Sequence, residues 1–287
     1  MNILAQTELV AHLDDSSLVI VDCRFQLGKP DAGREAYEAS HIPGAIYLDL
    51  EKDLSGPLDP DGEGGRHPLP DAAQLTGTLS RAGIGNEKVV VAYDDQGGAM
   101  ASRLWWLLKY LGHEKVYVLD ESFAAWVNAG RPVSSEVPVP VAAQYLATVQ
   151  HSKLIEMDEV REKLEEEGVV LIDSRDGARY RGEVEPIDKK AGHIPGAKNL
   201  FWGEGRTADG TWKSAEEHAA RFEQAGLKKD DEIIVYCGSG VTATPNVMAL
   251  EEAGYKRVRL YAGSWSDWIS YEGNAVATGA EEESRTK

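Results

Sequence analysis

Short runs of β-branched residues alternate along the chain with segments of helical period, and the alternation occurs twice. Leu18-Val19-Ile20-Val21-Asp22-Cys23-Arg24 is an apolar run closing on Asp-x-Arg, and Val169-Val170-Leu171-Ile172-Asp173-Ser174-Arg175 is the same object in the second half. Val89-Val90-Val91-Ala92-Tyr93 matches Glu232-Ile233-Ile234-Val235-Tyr236. Runs this short and this rich in β-branched residues predict buried strands. Each of the latter two precedes a helical pattern ending near a glycine, at Leu111-Gly112-His113 and Ala253-Gly254-Tyr255. A further strand follows, Lys115-Val116-Tyr117-Val118 or Arg257-Val258-Arg259-Leu260, and each half closes on a tryptophan helix, Phe123-Ala124-Ala125-Trp126 or Trp265-Ser266-Asp267-Trp268. Strands alternating with helices predict an α/β fold with a mainly parallel sheet flanked by helices in each half. The period is about half the chain, which means a duplicated domain and not a solenoid.

The prolines of Arg131-Pro132-Val133-Ser134-Ser135-Glu136-Val137-Pro138-Val139-Pro140 prevent a helix and favour an extended connection. The expected organisation is a first domain over 1–135, a linker over 136–152 and a second domain over 153–280. The second domain should open with a charged helix from about Met157 to Glu166, ended by Gly168. The tail 281–287 has no apolar anchor and is expected to be mobile.

Composition narrows the function. With 287 residues, 42% hydrophobic and 27% charged, each half can bury its own core. A net charge of −18 argues against nucleic acid or an anionic membrane surface as partner. An anionic substrate would need a local cluster of arginine and backbone N–H groups to overcome that field. The two cysteines, Cys23 and Cys237, make no disulfide framework, and no C-x-x-C spacing points to a metal. No cofactor is called for. The N-terminus lacks a basic-then-apolar leader, and no apolar run approaches the roughly 18 residues of a membrane span. A reducing cytoplasm suits a free catalytic thiol.

The chemistry is expected at Tyr236-Cys237-Gly238-Ser239-Gly240-Val241-Thr242-Ala243. A cysteine at a strand end, before a short loop and a helix, can be ringed by loop amides and faced by the helix's positive end. Both favour thiolate over thiol. The alternative is a buried structural cysteine. In the first half Tyr93 is followed by Asp94-Asp95-Gln96-Gly97-Gly98, so that half keeps the architecture without a nucleophile. Cys23 lies in the Asp-x-Arg turn, where the second half has Ser174, and reads as a packed cysteine. One active site in the second domain follows, with the first domain as a wall or cover. His41 and His193 occur in both repeats of His-Ile-Pro-Gly-Ala, and a role shared with an inactive half is structural.

These features together resemble a two-domain rhodanese-type sulfurtransferase: two copies of Asp-x-Arg and His-Ile-Pro-Gly-Ala, the Tyr93-Asp94-Asp95 loop followed by Ala101-Ser102-Arg103-Leu104-Trp105-Trp106, and the Cys237-Gly238-Ser239-Gly240-Val241-Thr242-Ala243 loop. That loop is similar to the 3-mercaptopyruvate branch; the thiosulfate branch places basic residues where Gly238 and Ser239 stand. The resemblance implies two tandem rhodanese-like domains and a persulfide on Cys237. The N–H groups from Gly238 through Gly240 and Val241 to Thr242 would surround the outer sulfur. Arg179, in Asp176-Gly177-Ala178-Arg179-Tyr180-Arg181, would meet the donor carboxylate, and Arg175 would hold internal carboxylates as Arg24 does. The resemblance further implies a proton relay of Ser239 with His67 and Glu51 from the first domain. The 3-mercaptopyruvate branch carries a second arginine after Glu-Pro. This chain reads Glu185-Pro186-Ile187-Asp188-Lys189-Lys190, so that either Lys189 or Lys190 substitutes or substrate binding is weaker or different.

The implied partners are a small anionic sulfur donor and a thiol, cyanide or thioredoxin-like acceptor. Thiosulfate:cyanide transfer and persulfide delivery to a protein partner are the alternatives. A cysteine phosphatase would need Cys-x5-Arg, and the required position is Ala243.

Overall fold

The computed structural model describes residues 2–280; Met1 and the tail 281–287 lie outside the described residues. The chain folds as two compact units, each α/β. The first unit contains strands β1 (Ile3–Leu4), β2 (Leu18–Asp22), β3 (Ile46–Tyr47), β4 (Val89–Tyr93) and β5 (Val116–Leu119). The second contains β6 (Leu154–Ile155), β7 (Val169–Asp173), β8 (Lys198–Asn199), β9 (Glu232–Tyr236) and β10 (Val258–Tyr261). The sheet orders are β1-β5-β4-β2-β3 and β6-β10-β9-β7-β8, with every pairing parallel.

The duplication extends to register. Asp22 pairs with Tyr93 and Asp173 with Tyr236, so the carboxylate ending one strand stands beside the tyrosine ending its neighbour. The edge strands β1, β3, β6 and β8 have two residues each, too few to show any hydrophobic period. The helix expected from Met157 to Glu166 ends at Lys163, and Gly168 (φ 81°) follows in the turn before β7. Each core is completed by its tryptophan helix: Trp126 and Trp265 are both fully buried.

The two Asp-x-Arg motifs are structural latches. Arg24 grips Asp22 through Nε and Nη2 at 3.0 and 2.7 Å and donates to the Ser40 carbonyl. Arg175 grips Asp173 and the Gly192 carbonyl in the same way. His41 and His193 are buried, stack on Tyr37 and Tyr180, and bond those tyrosines' carbonyls through Nδ1 at 2.6 and 2.7 Å. The structural role expected for these pairs is met.

The units are not contiguous halves. Among the described residues the first comprises 2–56, 70–150 and 206–212; the second comprises 57–69, 151–205 and 213–280. The stretch expected as linker runs extended along the first unit, tied by Ala143 to the Ser80 carbonyl (2.9 Å) and by Thr148 to that of Leu111 (2.9 Å). Segment 57–69, read from the sequence as part of the first domain, belongs to the second unit because its hydrogen bonds are made there.

Candidate active site

Strand β9 ends at Tyr236, and Cys237 follows, fully buried. The loop is fastened from behind. The Cys237 N–H donates to Ser264 Oγ (3.1 Å), the Cys237 carbonyl accepts from the Trp265 N–H (3.0 Å), and the Gly238 carbonyl accepts from the Ser266 N–H (2.9 Å). Ser264, the residue that receives the cysteine amide, has φ 57°, a left-handed conformation uncommon outside glycine and concentrated at functional sites. Gly240 has φ 73°, and a Cβ there would run into the Ala262 carbonyl, so only glycine fits. With the carbonyls engaged, the amides of Gly238, Ser239, Val241 and Thr242 have no hydrogen-bond partner among the described residues. Such amides next to a thiol form a cradle for an anion.

The helix after the loop begins at Thr244. Thr244 folds back on the Val241 carbonyl through its N–H (3.1 Å) and Oγ1 (2.7 Å), which makes Val241–Ala243 a turn. Pro245 then occupies the first helical turn, where no N–H is needed. The positive end of the helix therefore adjoins the loop amides.

Ser239 and His67, far apart in sequence, are brought together: Ser239 Oγ lies 2.8 Å from His67 Nδ1, both side chains nearly buried. The histidine arrives on the segment fixed by Gly64 donating to Asp267 Oδ1 (2.7 Å) and Arg66 N–H donating to Ser266 Oγ (3.1 Å). Glu51 lies in the first unit, exposed, with its amide donating to Asp49 Oδ1 at 2.9 Å.

Arg179 lies beside the loop, held by Glu185 through Nε (3.1 Å) and Nη2 (2.8 Å) and by Asp188 at 3.1 Å. Asp188 also pairs with Nη1 of Arg66. The nearest atoms to the point a Cβ on Gly238 would occupy are Arg66 Nη2 at 3.0 Å and Arg179 Nη2 at 3.5 Å. Two guanidinium groups therefore converge beside the cysteine. Burial is the largest influence on the Glu185 carboxyl and pushes it up, but the Arg179 guanidinium together with the Asp188 and Ile187 amides holds it below its usual range. At Asp188 burial wins over Arg66, and the carboxyl lies above its usual range. Lys189 and Lys190, the expected replacements for a missing arginine, are both exposed and are not among the atoms nearest Gly238. Sequence reasoning missed Arg66; its only local signal was a basic residue flanking the expected histidine.

Cys23 is packed, as expected: burial first, then Asp22, Asp94 and Asp53, pushes its thiol far above the ordinary range. No group of three or more His, Cys, Asp or Glu residues among those described could hold a metal. No helix among them is long and apolar enough to cross a membrane.

The family model for the rhodanese-like domain matches residues 5–129 and again 156–271. A Pseudomonas aeruginosa protein named a probable 3-mercaptopyruvate sulfurtransferase is 43% identical over 279 residues, covering 96% of this chain and 98% of its own. The thiosulfate sulfurtransferase of Rattus norvegicus is 34% identical, with 88% and 85% covered. The crystal structure of SseA from Escherichia coli, a 3-mercaptopyruvate sulfotransferase, superposes with a TM-score of 0.81 at 31% identity, covering 92% of this chain and 99% of that one. With two domain matches, full-length relatives and a cysteine loop of this construction, the chain belongs to the rhodanese family and is a two-domain sulfurtransferase.

Proposed function

We propose that the chain moves sulfur from 3-mercaptopyruvate to a thiol or cyanide through a persulfide on Cys237. The observation that carries the donor choice is the 2.8 Å pair of Ser239 and His67 on the cysteine loop. The Cys237 thiolate attacks the donor sulfur, an S–S bond forms, and the C–S bond breaks. Its electrons leave on pyruvate enolate, which needs a proton at carbon. Ser239, backed by His67, can pass it the proton given up by the donor's thiol. The loop amides and the adjoining helix end then hold the negative outer sulfur. An acceptor attacks that sulfur and restores Cys237, so the kinetics are those of a double displacement.

Thiosulfate is the second reading, supported by the likeness to the rat thiosulfate sulfurtransferase. Its leaving group, sulfite, is a stable anion and needs no proton. The two donors are therefore separated by the relay. Ser239→Ala and His67→Gln should each lower kcat/KM for 3-mercaptopyruvate by about 100-fold while changing thiosulfate turnover far less. Equal losses with both donors would remove the relay from the mechanism. A thioredoxin-like dithiol is the proposed protein acceptor, and a reducing cytoplasm the proposed setting, because the catalytic thiol must stay free between cycles.

A further inference from the structure

Three of the arginines described above use the same edge of the guanidinium. Arg24 grips Asp22, Arg175 grips Asp173 and Arg179 grips Glu185, each with Nε and Nη2 side by side. Arg66 departs from this. Only its Nη1 is engaged, by Asp188. Its Nε is buried with no hydrogen-bond partner among the described residues. Its Nη2 also has none, and lies 3.0 Å from the position of a Cβ on Gly238. Buried polar donors are almost always paired, and Nε is one left unmatched; with Nη2 beside it on a side chain 29% exposed, the two form an accessible two-pronged edge that fits a planar anion from outside the chain.

The surroundings favour that reading over an idle surface charge. Asp188 joins Arg66 to Arg179, with its own side chain only 3% exposed, so the fork is fixed in direction before any ligand arrives. The residue beneath the open edge is Gly238, where even a Cβ would lie 3.0 Å from Nη2 and crowd it. Ile187, which follows Glu185-Pro186 where the related branch carries its second arginine, is exposed and apolar.

We propose that Arg66 is a donor-binding residue. Its Nε–Nη2 edge takes the donor carboxylate in two parallel hydrogen bonds, Asp188 positions it through Nη1, and Arg179 supplies the second positive charge. The identity of the donor rests on the function proposed above. The edge itself would take any small carboxylate presented next to Cys237.

Iodoacetate and iodoacetamide separate these two layers, because they alkylate the same thiolate and differ only in carboxylate against amide. Their rates at Cys237 are measured on the full-length protein by mass spectrometry of the peptide that carries it. The iodoacetate:iodoacetamide rate ratio should fall about tenfold in Arg66→Gln and less in Arg66→Lys, which keeps the charge but not the fork. In parallel, KM for 3-mercaptopyruvate should rise in both variants more than kcat falls. A ratio unchanged in Arg66→Gln would overturn the proposal. Should Arg66→Gln fail to fold by circular dichroism, a wild-type ratio and KM in Arg66→Lys overturns it equally. If the wild-type protein does not turn over 3-mercaptopyruvate but the ratio still falls in Arg66→Gln, the carboxylate-binding role stands and the donor assignment fails.

Discussion

The loops after β4 and β9 are the same backbone device with different anions. Both follow a buried strand ending in tyrosine, and the glycine at the fourth position has nearly the same left-handed φ, 69° at Gly97 and 73° at Gly240. In the first loop Asp94 fills the cradle itself. Its carboxylate accepts the N–H groups of Gln96, Gly98, Met100 and Ala101, at 2.8 to 2.9 Å. In the second loop the position of Asp94 is held by Cys237, and the amides of Ser239 and Val241, which correspond to those of Gln96 and Gly98, have no partner among the described residues. The first loop therefore carries a permanent internal anion, and the second keeps its donors open, as the proposed persulfide on Cys237 requires. The first copy also shows what burying charge there involves: burial pushes the Asp94 carboxyl up against the pull of four amides, and the net direction is upward.

The largest effect should come from removing the nucleophile. Cys237→Ser should abolish sulfur transfer with every donor, measured as pyruvate or thiocyanate release; retained activity would break the comparison at its base. Next is the internal anion. Asp94→Ala leaves four amides, those of Gly98, Met100 and Ala101 buried, without their acceptor and should destabilise the first unit by about 3 kcal/mol or more, read by denaturant unfolding. Asp94→Asn keeps an acceptor oxygen without the buried charge and should lose less. A wild-type midpoint in Asp94→Ala would mean that the cradle does not need its anion.

The shared glycine comes third. Gly240→Ala combines a left-handed φ, about 1–2 kcal/mol for any other residue, with a collision against the Ala262 carbonyl. It should cut kcat/KM about tenfold or more by displacing the amides that face Cys237. The smallest effect is expected at the other cysteine. Cys23→Ser should leave most of the transfer activity, because its thiol is packed and its pKa is driven up by burial and by nearby carboxylates. Loss of turnover without loss of stability in that variant would give Cys23 a role its environment does not support.

Much of this was legible from the chain alone. The β-branched runs at Val89–Tyr93 and Glu232–Tyr236 are strands with the expected ends, since a buried parallel strand is a nearly continuous apolar run. The Asp-x-Arg and His-Ile-Pro-Gly-Ala repeats were readable as scaffold because they persist where the nucleophile does not. The two-residue edge strands were missed, because their pairing is decided by neighbours and not by their own composition. The segment 57–69 also could not be assigned from composition. It is polar and glycine-rich, and it is fixed by bonds to Ser239, Ser266 and Asp267, some 170 to 200 positions away. Arg66 remained hidden for the same reason, while Lys189 and Lys190, adjacent to the motif, drew attention and are exposed.

The sequence by itself determined the duplicated α/β architecture and the glycines that let the Cys237 loop curve, because each depends on local backbone preference and hydrophobic period. Only the tertiary structure decided which charges face that loop. A guanidinium's role depends on which of its edges is already taken, and that is settled by carboxylates brought from distant parts of the chain: Glu185 and Asp188 occupy Arg179, while Asp188 leaves the Nε–Nη2 edge of Arg66 open beside Gly238.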